Sequence, residues 1–177
     1  MGVFLLRILG IDPGIERTGW GVVETTGRDF VPVDYGCIVT SKSQDLPMRI
    51  LAVYRGVTGL IDRVKPDVLA IESIFFAKNA KSAIDVGHSR GVCLLAAAAH
   101  NLPVEEVTPL QVKSTIVGYG NATKEQVSAM VSSLLHLSRP PRPDDTADAL
   151  GIAVTAGIKR SFGARLVRDG APERTSR

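Results

Sequence analysis

The sequence predicts an α/β fold: a mixed five-stranded sheet, with three antiparallel N-terminal strands and then parallel ones, flanked by helices. Three apolar or alternating runs open the chain, separated by Gly and charged residues, which is the pattern of an antiparallel meander. Strand-length apolar segments then alternate with segments of helical period, as crossover units do. With 177 residues, and roughly 150 residues per domain as a guide, one folded unit is expected.

The opening runs cover residues 3–11, 18–24 and 31–40. A helix follows: Asp45 can cap it, Pro47 suits its first turn, and Ile50, Val53, Tyr54, Val57, Leu60, Ile61 and Val64 recur at helical spacing. Lys65-Pro66 ends it, and residues 67–72 read as a buried strand. A loop over 73–78 leads to a helix over 79–100, whose Ala80, Ala83, Gly87 and Gly91 permit close approach by another element. Residues 102–107 form a short strand, and Thr108-Pro109 starts a short helix to about Val117. Thr123-x-x-Gln126 is a capping box for a helix to Leu137. After a proline-rich loop, Asp144 or Asp145 opens a last helix reaching about Lys159. The domain is therefore expected to span 1–160, with 161–177 a basic, disordered tail.

Composition excludes several classes. Hydrophobic residues make up 45% and charged residues 22%, as in ordinary globular proteins. The longest apolar run, 92–99, falls far short of the ~18 residues of a membrane span. The first residues have no basic leader or cleavage site, and Leu6 stands where myristoylation needs Ser or Thr. A cytoplasmic protein is expected. Cys37 and Cys93 lie in apolar sequence without metal-binding spacing and read as reduced core thiols. From Gly157 onward there are six basic and two acidic residues, so the rest of the chain is not basic. Overall charge therefore gives no argument for a nucleic-acid partner.

Four carboxylates are placed unlike solvated charges. Asp12 ends the first apolar run, Glu72 ends the buried strand Val-Leu-Ala-Ile-Glu, and Asp145 and Asp148 lie three residues apart on one helix face. A carboxylate at a buried strand end is costly unless something positive pairs with it. No Lys or Arg adjoins Asp12 or Glu72 in sequence. Gathered together, such anions would repel one another unless a divalent cation held them. Oxygen-only ligation suits Mg²⁺ or Mn²⁺. Structural roles compete at two positions, a turn cap before Pro-Gly at Asp12 and an N-cap at Asp145.

Several motifs, in order from about Leu9 to Thr155, resemble the RuvC family of bacterial Holliday-junction resolvases. They are Ile11-Asp-Pro-Gly14 with Thr18-Gly-Trp-Gly21, Ala70-Ile-Glu72 with Phe75-Phe-Ala-Lys-Asn79, Ser89-Arg-Gly91, Gln111-Val-Lys113, Val117-Gly118 and Asp145-Thr-Ala-Asp-Ala-Leu150. The resemblance implies a ribonuclease H-like fold and makes Asp12, Glu72, Asp145 and Asp148 the acidic metal ligands. It implies symmetric nicking of two strands of like polarity at a four-way junction, leaving 5′-phosphate and 3′-hydroxyl ends. A short T-rich cleavage preference and work alongside a RuvA–RuvB branch-migration complex are also implied.

Two metal ions about 4 Å apart are expected to clamp the scissile phosphate. Asp12 is the expected bridge, with Glu72 on one side, Asp148 on the other, and Asp145 bound directly or through water. Lys113 and Lys124, near the starts of consecutive helices, are candidate phosphate contacts, although solvated lysines would look the same. Lys78, Lys81 and Arg90 flank the loop after Glu72 and are placed to track DNA backbone; Arg139 and Arg142 are weaker candidates. Such contacts set affinity and salt dependence. Of the adjacent aromatics Phe75 and Phe76, one is expected in the core, and the resemblance assigns Phe75 to stacking on an unpaired base. Two symmetric cuts call for a C2 homodimer. Its candidate interface is the Ala/Gly face of the 79–100 helix, which could equally pack on the parent sheet.

Two rival readings compete with this one. Asp-Pro-Gly-x-x-x-x-Gly after a strand is also similar to the first phosphate loop of actin-like ATPases, but 177 residues are too few for a second nucleotide-enclosing lobe. A non-catalytic junction-binding protein would typically lack one of the four carboxylates.

Overall fold

The computed structural model describes residues 5–26, 29–73 and 80–169, without the side chains of 80–82 and 162–169. Its elements are β1 (Leu6–Asp12), β2 (Arg17–Thr25), β3 (Phe30–Val39), α1 (Leu46–Val64), β4 (Val68–Glu72), α2 (Ala80–Ala99), β5 (Val104–Val107), α3 (Pro109–Ile116), α4 (Lys124–Leu134) and α5 (Asp144–Asp169). The strands form one sheet in the order β3-β2-β1-β4-β5. β2 pairs antiparallel with β1 and β3, whereas β1–β4 and β4–β5 are parallel. This is the expected mixed sheet.

Alternation along the two central strands sorts the core. Leu9, Ile11, Leu69 and Ile71 pack with α1 and α2 through Val53, Val57, Ile61, Cys93, Ala96 and Ala97. Ile8, Val68 and Ala70 face the other way, onto Leu150, Ile152, Ala153 and residues of α3 and α4. Side chains two apart share a sheet face, so Asp12 and Glu72 belong with Ile8, Val68 and Ala70 on the α5 side.

Helix α5 lies unusually close to that face because the sheet presents glycines to it. A Cβ on Gly10 would fall 2.2 Å from the Ala149 carbonyl oxygen, and one on Gly19 would fall 2.0 Å from that of Asp145. Any side chain there would push the helix off the sheet.

Some expectations need correcting. Helix α4 ends at Leu134 rather than Leu137: His136 takes a left-handed φ of 52°, and the Leu137 N–H turns back to the Ser132 carbonyl at 2.8 Å. Helix α5 continues to Asp169, so the expected boundary at 160 falls inside it. Ala164, Arg165 and Leu166 are good helix formers, and extending an existing helix costs far less than starting one. Asp45 sits at the α1 N-cap without a side-chain cap hydrogen bond, while Pro47 does lie in the first turn. The Thr123–Gln126 capping box forms as read, and a second one joins Thr108 to Gln111. Both cysteines are free thiols; Cys93 is buried and Cys37 half-buried. No helix among the described residues is long and apolar enough to cross a membrane.

Candidate active site

β1 and β4 run in parallel register through Ile11 and Ile71, so Asp12 and Glu72, one residue further on, emerge side by side at the strands' carboxyl ends. Crevices outside these ends are where open α/β sheets place ligands. Helix α5 brings Asp148 to the same place, and the three carboxylates line one open cleft with Pro109, Val112, Lys113, Lys124, Val127 and Ile152.

The anions disturb one another. Asp12 is raised from 3.8 to about 7, first by burial and then by Glu72, Asp148 and Asp145, with Lys124 opposing. Glu72 is also raised, by burial and then by Asp148. The Lys124 ammonium donates to Asp148 Oδ2 at 2.8 Å, and this hydrogen bond raises its own pKa. The positive partner missing beside Asp12 and Glu72 in the sequence is thus supplied from α4.

Asp145 does not line the cleft. It lies one helical turn before Asp148, half-buried, with its main chain against Gly19. Its charge still reaches Asp12 and also raises the Cys37 thiol, whose main cause is burial.

The main chain behind both strand ends is tied to α2. Thr18, in β2, donates from Oγ1 to the Gly14 carbonyl at 2.7 Å, in the turn after Asp12, and its oxygen lies 3.3 Å from Ser89 Oγ. The next residue, Arg90, donates from Nε to the Glu72 carbonyl at 3.2 Å and from Nη2 to Glu106 at 2.5 Å. Sequence reasoning missed these ties. Their only signal was the pairing of Thr18 and Ser89-Arg90 within separate motifs.

Lys113 and Lys124 are therefore in the cleft. Arg90 is not: its side chain is 17% exposed and faces Glu106. Lys81 falls in α2 without a described side chain, and Phe75, Phe76 and Lys78 lie outside the described residues. Arg142 pairs with Asp144 beside a second hollow that Lys124 and Asp148 also border; Arg139 is exposed.

The oxygen-only donor set and the elevated Asp12 fit a divalent cation, whose charge would oppose the burial and the mutual repulsion that raise the Asp12 pKa. Among the described residues, no three such side chains are drawn together into a preformed cage. Asp148 holds Lys124 instead.

Comparison with known proteins agrees with this geometry. The family described as crossover junction endodeoxyribonuclease RuvC matches residues 8–156. A protein of that name from Desulforamulus reducens is 47% identical over 160 residues, covering 90% of this chain and 98% of its own length. One from Caldicellulosiruptor saccharolyticus is 51% identical over 150 residues, covering 84% and 90%. Among solved structures, Thermus thermophilus RuvC in complex with Holliday junction substrate superposes with a TM-score of 0.85 at 34% identity, covering 89% of this chain and 96% of that one. With this fold, this placement of carboxylates and these relatives, the chain belongs to the RuvC family of crossover junction endodeoxyribonucleases.

Proposed function

We propose that this chain resolves four-way DNA junctions during recombination and repair by paired, symmetric, metal-dependent hydrolysis of phosphodiester bonds. The observation that carries this reading is the meeting of Asp12, Glu72 and Asp148 with Lys113 and Lys124 in one open cleft. The junction bound to the Thermus relative supports the substrate.

Asp12, Glu72 and Asp148 would hold magnesium, two ions per site with manganese able to substitute, and Asp145 assists directly or through water. Metal held by these carboxylates would supply a lowered pKa for the attacking water and neutralisation of charge on the departing 3′-oxygen. The chain's own residues position the reaction. Lys113 and Lys124 hold phosphate oxygens beside the carboxylates, and the sheet and α5 fix the direction of attack. Phe75 stacks on a base at the opened junction, and Lys78 and Lys81 follow the backbone.

The working unit is a homodimer in the cytoplasm, cooperating with a RuvA–RuvB branch-migration complex. Support for the dimer comes from α2. Ile84 and Leu95 are 59% and 57% exposed, and a Cβ on Gly87 or Gly91 would meet nothing within 4 Å. That face is left uncovered by the parent sheet. Gly91→Arg or Leu95→Asp should shift the sedimentation coefficient to that of a monomer.

The deciding experiment incubates the protein with synthetic four-way junctions and Mg²⁺, beside linear duplex and EDTA controls. Paired nicks on the junction alone are expected, and equal cutting of plain duplex would reassign the chain as a general nuclease. Asp12→Asn, Glu72→Gln and Asp148→Asn should each abolish cutting and leave junction binding nearly intact.

A further inference from the structure

We propose that Arg90 is a positioning residue, which aims the Glu72 carboxylate by holding the end of β4 from helix α2 and makes no contact with DNA. This rests on Glu72 being a metal ligand, as read above.

The Arg90 guanidinium is spent within the fold. Nε donates to the Glu72 main-chain carbonyl at 3.2 Å and Nη2 to the Glu106 carboxylate at 2.5 Å. One planar fork thus spans the last residue of β4 and the penultimate residue of β5, a task lysine's single ammonium cannot perform. Only 17% of the Arg90 side chain is exposed, against 73% for Lys124, which faces the cleft. A residue that seeks phosphate stands in solvent; Arg90 is turned inward.

Its effect falls on Glu72. The following residue, Ser73, donates its N–H to the Val107 carbonyl at 2.8 Å, which fixes one side of the strand end. Arg90 fixes the carbonyl between. Metal ligands must be held within roughly 0.5 Å of the productive position, and loss of a supporting hydrogen bond behind a ligand typically costs 10–100-fold in metal affinity. Without Arg90 the carboxylate loses its aim while its chemistry is untouched. The neighbouring Ser89 contacts Thr18, which holds the turn after Asp12, so two consecutive α2 residues support both strand ends.

The test compares wild type, Arg90→Gln, Arg90→Lys and Glu106→Gln by three measurements. These are junction affinity against salt, cleavage rate against Mg²⁺ concentration, and calorimetric titration of the DNA-free protein with Mn²⁺. Arg90→Gln should bind the junction with unchanged affinity and salt slope, while its Mn²⁺ Kd and half-maximal Mg²⁺ concentration rise about 10–100-fold. Arg90→Lys should share that defect, and Glu106→Gln should show a smaller one of a few-fold; these two keep the test open if Arg90→Gln fails to fold. If Arg90→Gln weakens junction binding and lowers the salt slope by about one, with Arg90→Lys restoring both, Arg90 is a phosphate contact and the proposal is wrong. Cleavage lost in step with thermal stability at unchanged Mn²⁺ affinity would equally overturn it. Failure of the underlying reading looks different: Glu72→Gln would then cut junctions at the wild-type rate.

Discussion

The Lys124 ammonium lies 2.8 Å from Asp148 Oδ2, at the rim of the cleft that Asp12 and Glu72 also line. The lysine is mostly exposed, so the pair contributes at most about 1 kcal/mol to stability. Its importance is electrostatic, because Lys124 is the cation that opposes the raised pKa of both Asp12 and Glu72. Lys124→Met should therefore shift thermal unfolding only slightly. Junction cleavage should fall at least about tenfold, and the salt slope of binding should drop by about one as one phosphate contact is lost. Cleavage assays and binding isotherms at several salt concentrations check this.

Asp12 gives the metal-free protein a distinctive pH dependence. Its folded pKa of about 7 lies above the ordinary 3.8, so between these values the folded chain holds a proton that the unfolded chain has released. Stability from this group is complete below about pH 4 and is lost as pH rises through 7, by at most about 4 kcal/mol. Glu72 is shifted in the same direction. Denaturation in EDTA should show Asp12→Asn gaining on wild type between pH 4.5 and 7.5. In cleavage assays, lower pH should raise the Mg²⁺ concentration required, because protons compete for the same oxygens.

Much of this was legible in sequence, and the failures have physical causes. Asp12 and Glu72 stood out because each ends an apolar run, and a period of two carried them to one face. Asp145 and Asp148 were legible as a helix face, but which of them reaches the cleft depends on how closely α5 approaches, which Gly10 and Gly19 decide from distant strands. The Arg90–Glu106 ion pair was not legible, because the charge of Arg90 was visible whereas Glu106, its partner on another strand, is distant in sequence. The extent of α5 was underestimated because a polar composition hides how readily an established helix propagates.

The glycines make a separate prediction. Gly19→Ala places a methyl 2.0 Å from the Asp145 carbonyl, a backbone atom that can yield only if the start of α5 moves. A cost of about 1–3 kcal/mol is expected, together with a loss of cleavage larger than the stability change explains, because Asp145 and Asp148 move with the helix. Gly59→Ala is the matched control. It lies within α1 with nothing within 4 Å of the added atom, so it should stabilise the fold by about 0.5–1 kcal/mol and leave cleavage unchanged. Chemical denaturation and junction-cutting rates on the two variants test the contrast.

Thr18 offers a more local probe of the turn that follows Asp12. Its hydroxyl has one proton, which goes to the Gly14 carbonyl at 2.7 Å, while Ser89 Oγ lies 3.3 Å from the Thr18 oxygen and also hydrogen-bonds the Cys93 thiol. Both residues are fully buried. Thr18→Val preserves shape but strands the Gly14 carbonyl and removes the Thr18 oxygen from Ser89, which should cost about 1–3 kcal/mol. Ser89→Ala should cost less, because Thr18 keeps Gly14. In a double-mutant cycle the two losses should sum to more than the double variant shows, since Thr18→Val has already broken what Ser89→Ala removes. Cleavage should follow the same order, with Thr18→Val slower than Ser89→Ala, because only the first releases the turn that aims Asp12. Strictly additive stabilities, or equal cutting by the two variants, would mean that the Thr18–Ser89 contact holds the core without steadying the carboxylate.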